Sequence, residues 1–383
     1  MKVVVVAEYY PRVTDPALGV WAHRQALAAR DAGAEVEVLV LHRPVPSKAA
    51  LRDRDPRALL APLRQPLKAT LDGITVSYVP FIAPPRPRSY GSWGAWAAPT
   101  LALALRRKRF DLVHAHYAAP AGDAVRRARI KAPLVISVHG GDVLAVPDRW
   151  RGGRGAVESA FKAAKLTLAN SSAIADQSRA LGAGDVRVVH LGTDVPPPSH
   201  TDVTTLVTVG NLIARKRHGD VLRALWLLRD THPELHWVIV GDGPEREPLE
   251  RLATELGLSE RVAFRGALPP AEALTIARWG GIFVLPSIEE AFGVAYVEAM
   301  AGGIPAIGSR GEPGPEEIAA CGGGMRLVPP GDPEALATEL RTLLEDARWR
   351  RELGAAARAN VEANFTWERC GRETVAAYED ALR

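Results

Sequence analysis

The feature that most limits the fold is an alternation of short β-rich runs with helix-like segments, and it occurs twice. In residues 1–195 the runs are Val3–Ala7, Glu35–Leu41, Ile74–Val79, Leu112–Ala115, Leu134–Val138, Leu166–Ala169 and Arg187–His190. Ala-, Arg- and Leu-rich stretches such as Gly19–Ala32 and Thr100–Arg109 separate them. Residues 203–330 repeat the pattern with Leu206–Val209, Trp237–Val240, Arg261–Phe264, Ile282–Leu285, Pro305–Ile307 and Met325–Val328. Strands alternating with helices predict parallel sheets covered on both faces. A Pro-rich stretch, Val195–His200, divides the two sets, so the expected fold is α/β with two Rossmann-like domains, 1–198 and 199–367. Ligands of such sheets sit at the carboxyl ends of the strands, here expected in a cleft between the domains.

Several classes are excluded. With 47% apolar and 24% charged residues in 383, the chain can bury a sizeable core, against disorder. Cys321 and Cys370 have no partner at metal-ligand spacing, which predicts neither a zinc site nor a disulfide framework and fits a reducing cytoplasm. Val3–Val6 runs into Glu8 with no cleavage site, so it reads as a strand and not as a signal peptide. The longest apolar stretch, Trp93–Leu105, is too short to span a bilayer. Asp53-Arg54-Asp55 is formally an Asp-x-Asp metal motif, but it follows no strand and sits among arginines, so no metal is expected.

Charge is unevenly divided. Residues 1–198 hold 28 Lys and Arg against 16 Asp and Glu, hence +12; residues 199–383 hold 20 against 28, hence −8, and the sum is the net +4. The positives cluster at Arg52, Arg54 and Arg57, at Arg86 and Arg88, at Arg106–Arg109, and at Arg126-Arg127. No nucleic-acid motif accompanies them. One reading, with Trp93 and Trp96 nearby, is peripheral contact with an anionic membrane surface; the other is a set of solvated faces on an Arg-rich chain.

The chemistry concentrates after Ile282–Leu285, in the block from Pro286 to Pro305. Glu290 falls in the strand-to-helix loop, Gly293 permits close backbone approach, and Glu298 lies about one turn into the helix. An ionised Glu accepts two hydroxyl donors, as a vicinal diol offers, and amides at a helix start suit an anion. A second element, Gly210 to Arg217, brings Arg215 and Lys216 to the end of the first strand of the second set, where cations can neutralise a diphosphate. Gly241-Asp242-Gly243 lacks the third glycine of a dinucleotide fingerprint, having Arg246 there, which disfavours a nicotinamide dehydrogenase.

The Glu-x7-Glu block, the Gly210–Lys216 loop, Val240-Gly241-Asp242-Gly243-Pro244, Arg261-Val262 with Gly266, and His139-Gly140-Gly141-Asp142 resemble, in order, the retaining family-4 glycosyltransferases of GT-B fold. Phe365-Thr366-Trp367-Glu368 also matches, and the resemblance implies a last helix, about 368–383, crossing back to the first domain. It implies that Glu298 binds the donor ribose and Glu290 a hydroxyl of the transferred sugar, with Ala291 and the amides of Phe292 and Gly293 nearby. Lys216 would bind the diphosphate. Asn211 stands where the family usually has Arg, so Arg215 would supply that charge, and the family's first-domain glycine pair is reduced to Gly19. His139 would line the junction of donor sugar and acceptor, with His116 and Asp142 on the acceptor side. The implied activity is transfer of a hexose or N-acetylhexosamine from a UDP-linked sugar to a glycan, exopolysaccharide or lipid-linked acceptor. No cofactor, metal or nucleic acid is implied. The alternatives are a nucleotide-sugar epimerase or phosphorylase on the same fold, and a transferase of small-molecule acceptors. Pyridoxal phosphate would need a lysine; there are eight, with Lys216 already engaged.

Overall fold

The structure, a computed structural model, describes residues 1–46, 56–86, 89–197 and 202–383. Asp53-Arg54-Asp55, Arg52, Arg88 and Pro198 lie outside the described residues. The chain forms two units, Met1–Leu191 with Trp367–Arg383, and Gly192–Thr366. No described helix is long and apolar enough to cross a membrane.

The first unit is built on eight strands: β1 (Lys2–Ala7), β2 (Glu35–His42), β3 (Lys68–Leu71), β4 (Ile74–Pro80), β5 (Leu112–His116), β6 (Leu134–Val138), β7 (Leu166–Ala169) and β8 (Val186–Val188). Their order is β3-β4-β2-β1-β5-β6-β7-β8. β1 is central because Val3 to Ala7 are buried on both faces, and it pairs in parallel with β2 and β5. The order runs outward from β1 in both directions, so the loops leaving β1 and β5 diverge and open a crevice at the carboxyl ends.

One strand departs from the parallel expectation. β3 pairs antiparallel with β4 through a turn at Asp72-Gly73, both residues at positive φ (47° and 81°). Asp-Gly is the residue pair that a two-residue hairpin of mirror-image turn type requires, and here it adds an edge strand. The chain's last helix, Trp367–Leu382, belongs to this unit: Cys370, Ala377, Tyr378 and Ala381 join its core. Gly371 makes that docking feasible, since a Cβ there would lie 2.2 Å from the Ala28 carbonyl oxygen in the helix Val20–Asp31.

The second unit holds β9 (Asp202–Val209), β10 (His236–Val240), β11 (Val262–Phe264), β12 (Gly280–Val284), β13 (Ala306–Ser309) and β14 (Met325–Val328) in the order β11-β10-β9-β12-β13-β14. All its pairings are parallel. Its switch point lies between β9 and β12, so the Gly210–Lys216 and Leu285–Gly293 loops leave adjacent strands. Leu206, Trp237, Ile239, Ile282 and Val284 pack against Val221, Leu222 and Leu225 of the helix His218–Leu227. The buried Trp237 indole donates to Thr208 Oγ1 at 3.0 Å, so the largest side chain of this core costs no unsatisfied donor.

The loops after β9 and β10 touch backbone to backbone. A Cβ on Gly241 (φ 143°) would fall 1.9 Å from the Gly210 carbonyl oxygen. Gly241→Ala should therefore displace the Gly210–Lys216 loop and cost roughly 2 kcal/mol or more. Thermal unfolding checks this, and an unchanged midpoint would show that the loop can move aside freely.

Candidate functional site

In the second unit, Lys216 ends a single short helical turn, Ala214–Lys216, after β9, and Glu290 lies on the loop after β12. Lys216 Nζ is bonded to Glu290 Oε2, which also accepts from Ser287 Oγ at 3.0 Å and lies 3.8 Å from Arg215 Nη1. Among the described residues no protein group donates to Glu290 Oε1. The Glu290 residue is 8% exposed. Burial raises its pKa, but Lys216 and Arg215 together outweigh it and hold the carboxyl below the ordinary 4.5. Glu290 is thus a buried, ionised acceptor with one oxygen still open to a hydroxyl.

The loop around it is tightly determined. Glu289 sits at φ 54°, its carbonyl and that of Ile288 accept from Arg215 Nη1 at 3.3 and 3.5 Å, and Ile288 N donates to the Arg215 carbonyl at 2.8 Å. The Glu290 backbone amide donates to Glu312 Oε2 at 3.0 Å, and the Glu290 carbonyl accepts from Gly314 N at 2.8 Å. Gly293 (φ 82°) is needed because a Cβ would lie 2.4 Å from the Tyr296 ring. Tyr296 in turn donates to the Leu285 carbonyl and lies 3.1 Å from Ser287 Oγ. Ala291 and Phe292 are buried beside Glu290. Glu298 is half-buried on the helix Val294–Met300, and its carbonyl accepts from Arg278 Nε at 3.1 Å. Asn211 is exposed on the Gly210–Lys216 loop. Ser287, Glu312, Tyr296 and Arg278 were not found from the sequence. Glu312 lies 22 residues beyond Glu290, and no motif spacing links the two.

In the first unit the candidates gather at the carboxyl ends of β1, β5 and β6. Gly19 (φ 66°) precedes the helix Val20–Asp31, and a Cβ there would overlap the Tyr9 carbonyl carbon at 2.2 Å. His139 Nε2 lies 2.9 Å from His116 Nδ1, the two rings stacked 9° from parallel. His114 is locked between Tyr378 Oη at 2.7 Å and Ser137 Oγ at 2.8 Å, so it is a core residue. Burial holds His114 and His139 at about 3 and His116 far below the ordinary range, so all three are neutral. Asp142 is fully buried; its two oxygens accept from His139 N at 3.0 Å and Ala118 N at 2.9 Å, and it therefore shapes the His139 loop from beneath. Burial lifts its carboxyl to about 6. Beside these lies a cluster the sequence did not reveal. The Glu8 carboxylate accepts from Arg86 Nη2 and Tyr90 Oη at 2.6 Å each, and Arg86 stacks on Tyr90 at 3.9 Å. Tyr9, Trp21, Tyr117 and His139 make a closed circuit of ring contacts. Glu8 and Tyr9 directly follow the first strand, and that position was the one available signal.

Both α/β units carry their candidate acids, cations and histidines on or beside the loops at the carboxyl ends of the strands. The family model described as glycosyl transferases group 1 matches residues 195–360, and that of glycosyltransferase family 4 matches residues 18–195. D-inositol 3-phosphate glycosyltransferase of Streptomyces bingchenggensis is 30% identical over 338 residues, 77% of this chain and 70% of that protein. Sucrose-phosphate synthase from Thermosynechococcus elongatus has a similar fold, with TM-score 0.79 at 21% identity over 99% of both chains. So has Anabaena HepE in complex with UDP, with TM-score 0.72 at 20% identity over 99% of this chain and 100% of that one. The chain belongs to the family-4 glycosyltransferases.

Two outcomes follow from these geometries. Lys216→Met leaves the buried Glu290 carboxylate with only the more distant Arg215 as counter-charge, which should cost about 3 kcal/mol, and adding Glu290→Gln should restore part of it. Urea unfolding of the single and double variants checks this; additive losses would mean no coupling. The depressed carboxyl contributes its stability in full above about 4.5 and loses it as pH falls through the lower native value.

The buried histidines act at higher pH. Their native values lie below the ordinary 6.5, so the unfolded chain takes up protons first. Stability is complete above about 6.5 and falls toward 3, by up to about 1.4 kcal/mol per pH unit for each histidine. Unfolding measured at intervals below neutrality should show this slope, and His114→Gln should flatten it.

Proposed function

We propose that the protein is a retaining, metal-independent glycosyltransferase. It would move a hexose or N-acetylhexosamine from a UDP-linked sugar to a hydroxyl of a glycan, exopolysaccharide or lipid-linked acceptor. The observation that carries this reading is the Lys216–Glu290 pair at the switch point of the second sheet, with Arg215 beside it and Glu290 Oε1 open. A donor diphosphate shares Lys216 and Arg215 with the carboxylate, which stays ionised and takes a sugar hydroxyl on its open Oε1. Glu298 takes the ribose hydroxyls.

The C1–O bond of the donor breaks and its electron pair leaves on the diphosphate, whose growing charge falls on Lys216 and Arg215. The acceptor oxygen bonds to C1 on the same face, and its proton passes to the departing phosphate oxygen. No protein nucleophile is needed, so Glu290 is a binding and not an attacking group. His139, neutral and held by His116 and Asp142, lines the acceptor side. On this reading the enzyme is cytoplasmic and touches the inner face of the membrane peripherally, and its two basic side chains take the role of a metal at the diphosphate.

Thermal shift with UDP, GDP and ADP and their sugars tests the donor, since a ligand that binds the native state alone raises the midpoint. UDP should give the largest shift, and Glu298→Ala should abolish it while the unliganded stability stays within about 1 kcal/mol of wild type. Transfer should survive chelation and yield product of unchanged anomeric configuration. A larger GDP shift would overturn the base assignment, and full activity in Glu298→Ala would overturn the site.

A further inference from the structure

Between the amino-terminal ends of β1, β5 and β6 and the helix Trp93–Arg106 lies a groove of about 1020 Å³. Lys2 opens β1, Asp111 precedes β5 and Ala132 precedes β6, so the groove is at the end of the first sheet opposite His139 and Tyr117. Eight Lys and Arg side chains line it, against one acid, Asp111. Half of these cations are paired: Lys2 with Glu35, Lys108 with Glu37, and Arg126 and Arg127 with the buried Asp123. Arg106, Arg109, Arg129 and Lys131 are exposed and make no ion pair among the described residues. Four unpaired cations around one groove repel each other unless an anion is there.

A second observation narrows the anion. The groove wall is one stripe of the helix, Ala95, Ala98, Pro99 and Ala102. On the stripe next to it Trp96 and Leu103 stand two turns apart, 51% and 53% exposed, followed one turn on by the exposed Arg107. Large apolar side chains beside unpaired cations are what the surface of an anionic bilayer accommodates: the rings and alkyl groups enter the headgroup boundary and the cations take lipid phosphates. A free phosphate would use the cations and leave Trp96 and Leu103 without a function.

We propose that this face docks the protein on an anionic phospholipid bilayer. The proposal rests on the membrane part of the reading above and is independent of the transfer chemistry. Arg86, Arg126 and Arg127, part of the same positive excess, are spent on Glu8 and Asp123 and take no share in it. Because the groove is at the amino-terminal ends of the strands, docking leaves the His139 and Tyr117 loops uncovered.

The test is cosedimentation of the full chain with vesicles of phosphatidylcholine alone and of roughly 3:1 phosphatidylcholine to phosphatidylglycerol, with salt raised from about 50 to about 300 mM. The protein should bind the anionic vesicles alone, and binding should fall steeply with salt. Arg106→Glu/Arg109→Glu/Arg129→Glu should lower binding about tenfold or more, and Trp96→Ala/Leu103→Ala several-fold at unchanged charge. Both variants should keep the wild-type melting point and donor-induced shift. Wild-type binding by either variant would overturn the proposal. So would loss of vesicle binding to millimolar inorganic phosphate at constant ionic strength, which would mark a site for small anions. Failure of the transfer reading would instead abolish the donor shift and leave vesicle binding intact.

Discussion

A lysine and a glutamate, taken out of water together, govern the second domain. A buried carboxylate without a counter-charge would be pushed toward its neutral form, and Lys216, with Arg215 behind it, holds Glu290 ionised instead. The pair closes across two loops that leave neighbouring strands, so it also fixes how those loops lie. Arg215 reaches back to the Ile288 and Glu289 carbonyls, Ser287 approaches the same carboxylate oxygen, and Glu312 receives the Glu290 amide. The loops are thus held in shape by the same ion pair that, on the proposed function, meets the donor diphosphate.

The first domain solves a different problem. Its crevice is walled by neutral and aromatic groups. His114, His116 and His139 are kept uncharged by burial, and Asp142 is occupied with backbone amides. Arg86 is paired with the buried Glu8 carboxylate. On the proposed function, one domain concentrates charge at the donor diphosphate and the other keeps it away from the acceptor hydroxyl.

Thirteen of the fourteen described strands were legible as short runs, because most are parallel and buried on both faces; the runs for β8 and β11, half-exposed at the sheet edges, are only partly apolar. β3 was missed because Lys68-Ala69-Thr70-Leu71 is a half-exposed edge whose signal is the Asp72-Gly73 turn and not its hydrophobicity. The Glu290 and Lys216 loops and the helix that carries Glu298 were legible because backbone constraints cluster locally around them, Gly293 above all. Partners distant along the chain were not: Glu8 meets Arg86 across 78 residues, and nothing in either neighbourhood announces the other.

By itself, the sequence determined the two α/β domains, the loops after their strands and the residue types on them, since periodicity and turn residues are local properties. Tertiary structure alone decided which carboxylates are spent and which are open. Asp142 and Glu290 are both acids on a loop after a strand, yet one accepts backbone amides and the other a lysine. The difference lies in burial and in what the neighbouring strands bring within hydrogen-bonding distance, and no local pattern in the chain encodes that.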